Sequence, residues 1–81
     1  MTVRLKMFAI LRERSGVSEM DLELTEGATV AVAVVEVAKR YAAISGILAR
    51  SASAVNREYA GPGVQLHSGD ELALIPPVSG G

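Results

Sequence analysis

The chain has 81 residues, 49% of them hydrophobic, with one histidine and no cysteine. That length allows one small domain burying roughly 60–65% of its extended-chain surface, and the lack of thiols excludes disulfides, thiolate metal sites and sulfur carried on a cysteine. A formal net charge of −1 gives no electrostatic basis for binding nucleic acid or anionic lipid.

Met1-Thr2-Val3-Arg4-Leu5-Lys6 interleaves charged and apolar residues, so it is no signal peptide. Uncharged apolar-rich stretches such as Gly27 to Val35 fall far short of the roughly 20 residues that span a bilayer. A soluble, cytoplasmic domain that binds neither membrane nor nucleic acid is the expectation. Val3, Leu5 and Met7 alternate with Arg4, Lys6 and Phe8, the period of a half-buried strand. Leu11 to Ser15 has the composition of a helical turn closed by Gly16. Met20, Leu22 and Leu24 then alternate with Glu19, Asp21 and Glu23, predicting a second strand, antiparallel to the first, with an acidic outer face.

Thr29 is placed to cap the segment that begins at Val30. The valines of 30–37 favour a strand by propensity, but three observations favour a helix. The segment runs on to Ala42 without a breaker. Val30, Ala33, Val34, Val37 and Tyr41 form one helical stripe. Strands seldom exceed ten residues. The prediction is a helix over 30–43 with Gly46 near its end. Ala54 to Tyr59 reads as a short strand, Gly61-Pro62-Gly63 as a loop, Val64 to Leu66 as a brief edge segment and His67 to Asp70 as a turn. Glu71 to Ile75 resumes alternation with Leu72 and Leu74 inward, and Pro76-Pro77 must end that strand because neither can donate to a ladder.

Strand, strand, helix, short strands and final strand predict an α+β domain over residues 1–81, with one main helix across one face of a small mixed sheet. This order suggests the ubiquitin-like β-grasp, in which the first and last strands are parallel neighbours. Phe8 and Ile75 then lie on the solvent side at the same end, as a candidate interaction patch. From that end residues 76–81 leave as an extended tail. The last two residues are Gly80 and Gly81. Such an end carries so little bulk that a partner can thread its carboxylate down a channel too narrow for any Cβ.

This order, together with Gly69-Asp70-Glu71, an apolar strand and Pro76-Pro77-Val78-Ser79-Gly80-Gly81, resembles the small subunit of molybdopterin synthase, a ubiquitin-like sulfur carrier. Phe8-Ala9 with Arg12-Glu13 and Gly16, and Ala54-Val55-Asn56, are similar to that family's first strand and loop and its middle strand. The resemblance implies that a separate adenylating enzyme uses ATP to activate Gly81, and that a sulfur donor then leaves a thiocarboxylate there. Pro76, Pro77, Val78, Ser79 and Gly80 would insert into the large subunit, with which the family forms a heterotetramer, and Gly81 would supply sulfur to the cyclic pterin precursor. Phe8 and Ile75 would dock the body, and Arg12 would pair with an acidic group on a partner. No cofactor or metal would be bound by the chain itself.

Independent catalysis has little support in the sequence. His67 lies in turn chemistry with no cysteine or evident acid to orient it, and no other imidazole exists to activate a serine. No helix follows Gly61-Pro62-Gly63, so it is no phosphate loop. Asp70 and Glu71, as strand neighbours, would face opposite sides. Two other readings stay open. Carriers serving thiamine thiazole, amino acid or tRNA thiolation pathways also end in Gly-Gly, and so do modifiers joined through their last glycine to lysine amines.

Overall fold

A computed structural model describes residues 1–77. The first strand, β1 (Thr2–Met7), buries Val3, Leu5 and Met7 completely and turns Arg4 and Lys6 outward. Phe8 continues in extended conformation. Ala9 then takes a left-handed φ of 49° and turns the chain into a short helix, α1 (Ala9–Ser15). Leu11 pins that helix to the core. Gly16, at φ 78°, ends it by donating its N–H to the Arg12 carbonyl at 2.9 Å. β2 (Glu19–Glu23) returns antiparallel to β1, with Leu22 beside Val3 and Met20 beside Leu5.

The main helix, α2 (Val30–Arg40), resolves the conflict between valine propensity and helical periodicity in favour of periodicity. Val30, Ala33 and Val37 are buried against the sheet, with Val34 and Tyr41 partly buried beside them. Packing one whole stripe outweighs a few tenths of a kcal/mol per residue of propensity. The Thr29 hydroxyl accepts from the Val32 amide, and Lys39 and Arg40 sit in the last turn, at the carbonyl end of the dipole, where positive charge is favoured. The 61–64 loop completes the cap: Val30 N–H donates to Val64 O at 2.9 Å, and Ala31 N–H to Pro62 O at 3.0 Å. The Gly61-Pro62-Gly63 loop thus satisfies helix amides.

Two sequence expectations need correction. The helix stops at Arg40 rather than 43, because Tyr41 leaves helical geometry (φ −127°, ψ 74°). A 3₁₀ turn (Ala42–Ile44) and a short helix, α3 (Ser45–Leu48), succeed it, so Gly46 lies inside a helix and not past one. Ile44, Ile47 and Leu48 carry the i, i+3, i+4 spacing that marks this piece, and all three pack on the core. The expected strand 54–59 is a hairpin instead, β3 (Ala52–Val55) and β4 (Glu58–Tyr59). Asn56 and Arg57, both at positive φ, form the two-residue turn.

The last strand, β5 (Glu71–Ile75), lies between β1, to which it is parallel, and β3, to which it is antiparallel. The sheet order is β2-β1-β5-β3-β4, with helices on one face, and this is the β-grasp arrangement. Leu5, Leu22, Leu72 and Leu74 from the sheet meet the α2 stripe. Ile44, Leu48 and Leu11 belong to the same core, as does Leu66, whose N–H bonds Ala28 O at 2.9 Å. Each such leucine contributes about 1.5–3 kcal/mol on full burial.

Candidate functional site

The parallel pairing sets Arg4, Leu5, Lys6 and Met7 beside Glu71, Leu72, Ala73 and Leu74, so Phe8 and Ile75 come next in the same register. They are neighbours at the end of the sheet from which the chain continues into Pro76-Pro77. Phe8 is 43% exposed and Ile75 half-buried, and the two border two grooves at once. One, of about 690 Å³, runs from Phe8 across Ile10 and Ile47 to Pro76 and Pro77. The other, of about 310 Å³, lies on the outer sheet face between Phe8, Ala73, Ile75 and Tyr59. Phe8, Ile75, Pro76 and Pro77 are therefore gathered into one apolar surface at the root of the tail. Val78, Ser79, Gly80 and Gly81 lie outside the described residues.

Arg12 does not join that surface. It sits in α1 with an exposed side chain, forms no ion pair among the described residues, and its carbonyl holds the Gly16 cap. The arginine that lines the tail-root groove is Arg50, two residues past α3. Sequence reasoning also passes over Ile47 and Tyr59. Ile47 is missed with its helix. Tyr59, 80% exposed, pairs with Ala54, which pairs with Ala73, so it shares their outer face. As the end of one continuous strand, Tyr59 has no defined neighbours; the hairpin gives it some.

The rest of the outer face is charged. Lys6 Nζ lies 2.7 Å from Glu71 Oε1 and 3.6 Å from Glu19, while Arg4 bonds Asp21 at 3.0 Å and approaches Glu19 at 3.7 Å. The Glu71 hydrogen bond and charge hold the Lys6 ammonium above its ordinary pKa, and the same bond holds the Glu71 carboxyl below its own. The acidic face of β2 is thus a cross-strand ion-pair ladder to β1. The outer surface is charged over β2, β1 and the first residue of β5, and becomes apolar over Ala54, Ala73 and Ile75 towards the tail root, with Lys6, Arg57 and Glu71 bordering that groove.

His67 does have an acid beside it, against expectation: Asp70 Oδ2 lies 3.9 Å from Nδ1. That carboxylate is committed elsewhere, accepting from the His67 backbone N–H at 2.8 Å and from Asn56 Nδ2 at 3.0 Å. The Asn56 bond, then the His67 amide, depress the Asp70 pKa. Asn56 Oδ1 also accepts the Glu71 amide at 3.0 Å, so this network stitches the β3–β4 turn to the start of β5. It occupies the end of β5 opposite the tail root, about 17 Å along the strand. His67 itself is 75% exposed. Asp70 and Glu71 do not act as a carboxylate pair, since Asp70 belongs to the turn and Glu71 to Lys6. Among the described residues no group of His, Asp or Glu side chains is arranged to hold a metal, and no helix is long and apolar enough to cross a membrane.

A five-stranded β-grasp with an apolar surface where the chain leaves its last strand defines a ubiquitin-like protein. The ThiS family matches residues 5–81. A molybdopterin synthase sulfur carrier subunit from Chlamydomonas reinhardtii is 35% identical over the full length of both chains. One from Arabidopsis thaliana is 30% identical over 98% of this chain and 82% of its own. Among solved structures, SAMP1 from Haloferax volcanii superposes with a TM-score of 0.87 at 32% identity, covering 99% of each chain. The chain belongs to the ThiS family.

Proposed function

We propose that this chain is the sulfur-carrier subunit of a molybdopterin synthase, working in the cytoplasm. The observation that carries the reading is the apolar surface formed by Phe8, Ile75 and Pro76-Pro77 at the root of a Gly-Gly tail, in a chain whose full-length relatives bear that name. A carboxylate is a poor electrophile, since its charge is delocalised and its oxygen leaves badly. An adenylating partner would therefore spend ATP to form the Gly81 acyl-adenylate, and a sulfur donor would displace AMP to leave the thiocarboxylate. The tail would then enter the large subunit, whose side chains do the catalysis, and the terminal sulfur would attack the cyclic pterin precursor. Pro76 and Pro77 stiffen the base of the tail and reduce the entropy lost on insertion. Gly80 and Gly81 allow the backbone approach that a narrow channel demands. Phe8, Ile75 and Tyr59 provide the docking surface, with Arg50, rather than Arg12, as the cation of the groove that leads to Pro76-Pro77.

The test is the intact mass of the protein from its native cells, with fragmentation of the C-terminus. Replacement of one oxygen by sulfur at Gly81 supports the carrier. Gly81 joined to lysine amines would instead identify a modifier, a reading favoured by the likeness to SAMP1, a small archaeal modifier protein. A residue added after Gly81 should abolish cofactor synthesis and leave the fold intact; undiminished synthesis would sink the carrier reading.

A further inference from the structure

A net charge near zero hides where the charges stand. Every charged side chain falls between Arg4 and Glu71, so all of them lie among the described residues. Over the middle of the sheet they cancel, because Glu19, Asp21 and Glu71 hold Arg4 and Lys6. On α2, Lys39 has Glu36 at 3.7 Å. The remainder separates to the two ends of the molecule. Glu23, Glu26, Glu58 and Asp70 stand at the end where β5 begins, opposed there by Arg57 and the α-amine. The other end, where the chain leaves β5 at Pro76-Pro77, carries Arg12 and Arg14 on α1, Arg40 at the close of α2 and Arg50 just before β3. Glu13 is the one acid there outside the ion-pair ladder. All four arginines are exposed, and none forms an ion pair among the described residues.

Arg40 has a local reason, the carbonyl end of an 11-residue helix. α1 and α3, of seven and four residues, are too short for their dipoles to call for three arginines more. Gathering like charges at one end raises self-repulsion, which an acidic surface laid against that end would relieve. We propose, on the carrier reading above, that the end of the domain around Pro76-Pro77 is a basic docking face for an acidic surface of the partner, with carboxylates set against Arg12, Arg14 and Arg50. The neighbouring side chains favour a protein as the occupant. Arg50 shares its groove with Phe8, Ile10 and Ile47, and no carboxylate lines it. Ile10 lies one helical turn before Arg14, on the same side of α1. A phosphate backbone would meet the arginines but offer nothing to the isoleucines. The charges act mainly before contact. Within a Debye length of about 10 Å at 0.1 M salt, their field turns the arriving chain so that this end leads and the acidic end trails. At a solvent-exposed rim such pairs govern the association rate and its salt dependence more than the lifetime of the complex. Phe8 and Ile75 hold what the arginines bring in.

The experiment measures binding of the full chain to the large subunit of the molybdopterin synthase from the same cells, by surface plasmon resonance at low and moderate ionic strength. The wild-type association rate should fall about tenfold as salt is raised. Arg14→Gln combined with Arg50→Gln should slow association about fivefold at low salt, with a smaller change in dissociation. Arg50→Lys should keep the wild-type rate, since steering needs the charge and not the guanidinium. Glu58→Gln, at the opposite end, should alter neither rate. These three positions are exposed, so the variants should melt with the wild type. Association that ignores or rises with salt, or that is unchanged in the double variant, would overturn the docking face and leave the carrier reading standing. A single-stranded oligonucleotide bound more tightly than the large subunit would overturn it too, by assigning the arginines to phosphates. A wild-type chain that does not bind the large subunit at all would overturn both readings together.

Discussion

At the scale of single residues, exposure and chemistry separate the groups that hold the fold from those free to act. Phe8 has more than a third of its surface in solvent, yet stands in register with Ile75 beside the departing tail. Phe8→Ala should therefore weaken binding to a large subunit about tenfold or more while shifting the melting temperature little; calorimetric titration beside a thermal melt distinguishes the two. A large fall in melting temperature with unchanged binding would place the ring in the core instead. Asp70 behaves in the opposite way, as a structural acid. Its pKa, and that of Glu71, lie below the ordinary values of 3.8 and 4.5. Their contribution is fully present above those values and is lost as pH falls through the depressed folded ones. Asp70→Asn should lower the urea midpoint at pH 7, and the gap to wild type should close as the pH falls towards acid denaturation. A gap that stays constant with pH would show that the ionised carboxylate is not what matters. Phe8 was legible from the sequence by strand phase alone. Asp70's place beside His67 was not, because a turn hydrogen bond depends on backbone geometry that composition only hints at.

Elements follow from local patterns where those patterns are long, and escape them where they are short. The α2 stripe spans three turns, which is why it overrode valine propensity. α3, only four residues long, was hidden because Gly46 looked like a terminator. The β3–β4 hairpin was hidden because its turn is Asn56-Arg57 rather than Asn-Gly. Arg57 stands at φ 70°, a conformation that costs an L-residue roughly 1–2 kcal/mol and glycine almost nothing. Arg57→Gly should accordingly stabilise the domain by about 0.5–1 kcal/mol after glycine's greater unfolded-state entropy is subtracted. Urea denaturation is the check, and a loss of stability would mean that the Arg57 side chain contributes more than its backbone strain costs.

For the molecule as a whole, the parallel pair β1–β5 is the organising contact, because it joins the two ends of the chain through the centre of the sheet. Leu72, fully buried in β5, faces α2 and lies beside Leu5. Leu72→Ala should cost about 2–5 kcal/mol, a large share of the 5–15 kcal/mol that holds a typical domain. It should lower both the far-ultraviolet signal and the tyrosine fluorescence transition together; two separated transitions would show that the β3–β4 end folds on its own. The sequence by itself determined which residues face inward, the main helix, the β-grasp order and the Gly-Gly end. Periodicity of 2 or 3.6 is written locally, and burial of one face forces it. Only the tertiary structure decided which outward residues meet. It brought Tyr59 to the face of Ala73, put Arg50 instead of Arg12 at the tail root, and set Glu71 on Lys6. Those meetings depend on strand order and register between segments far apart in the chain, which no local period encodes.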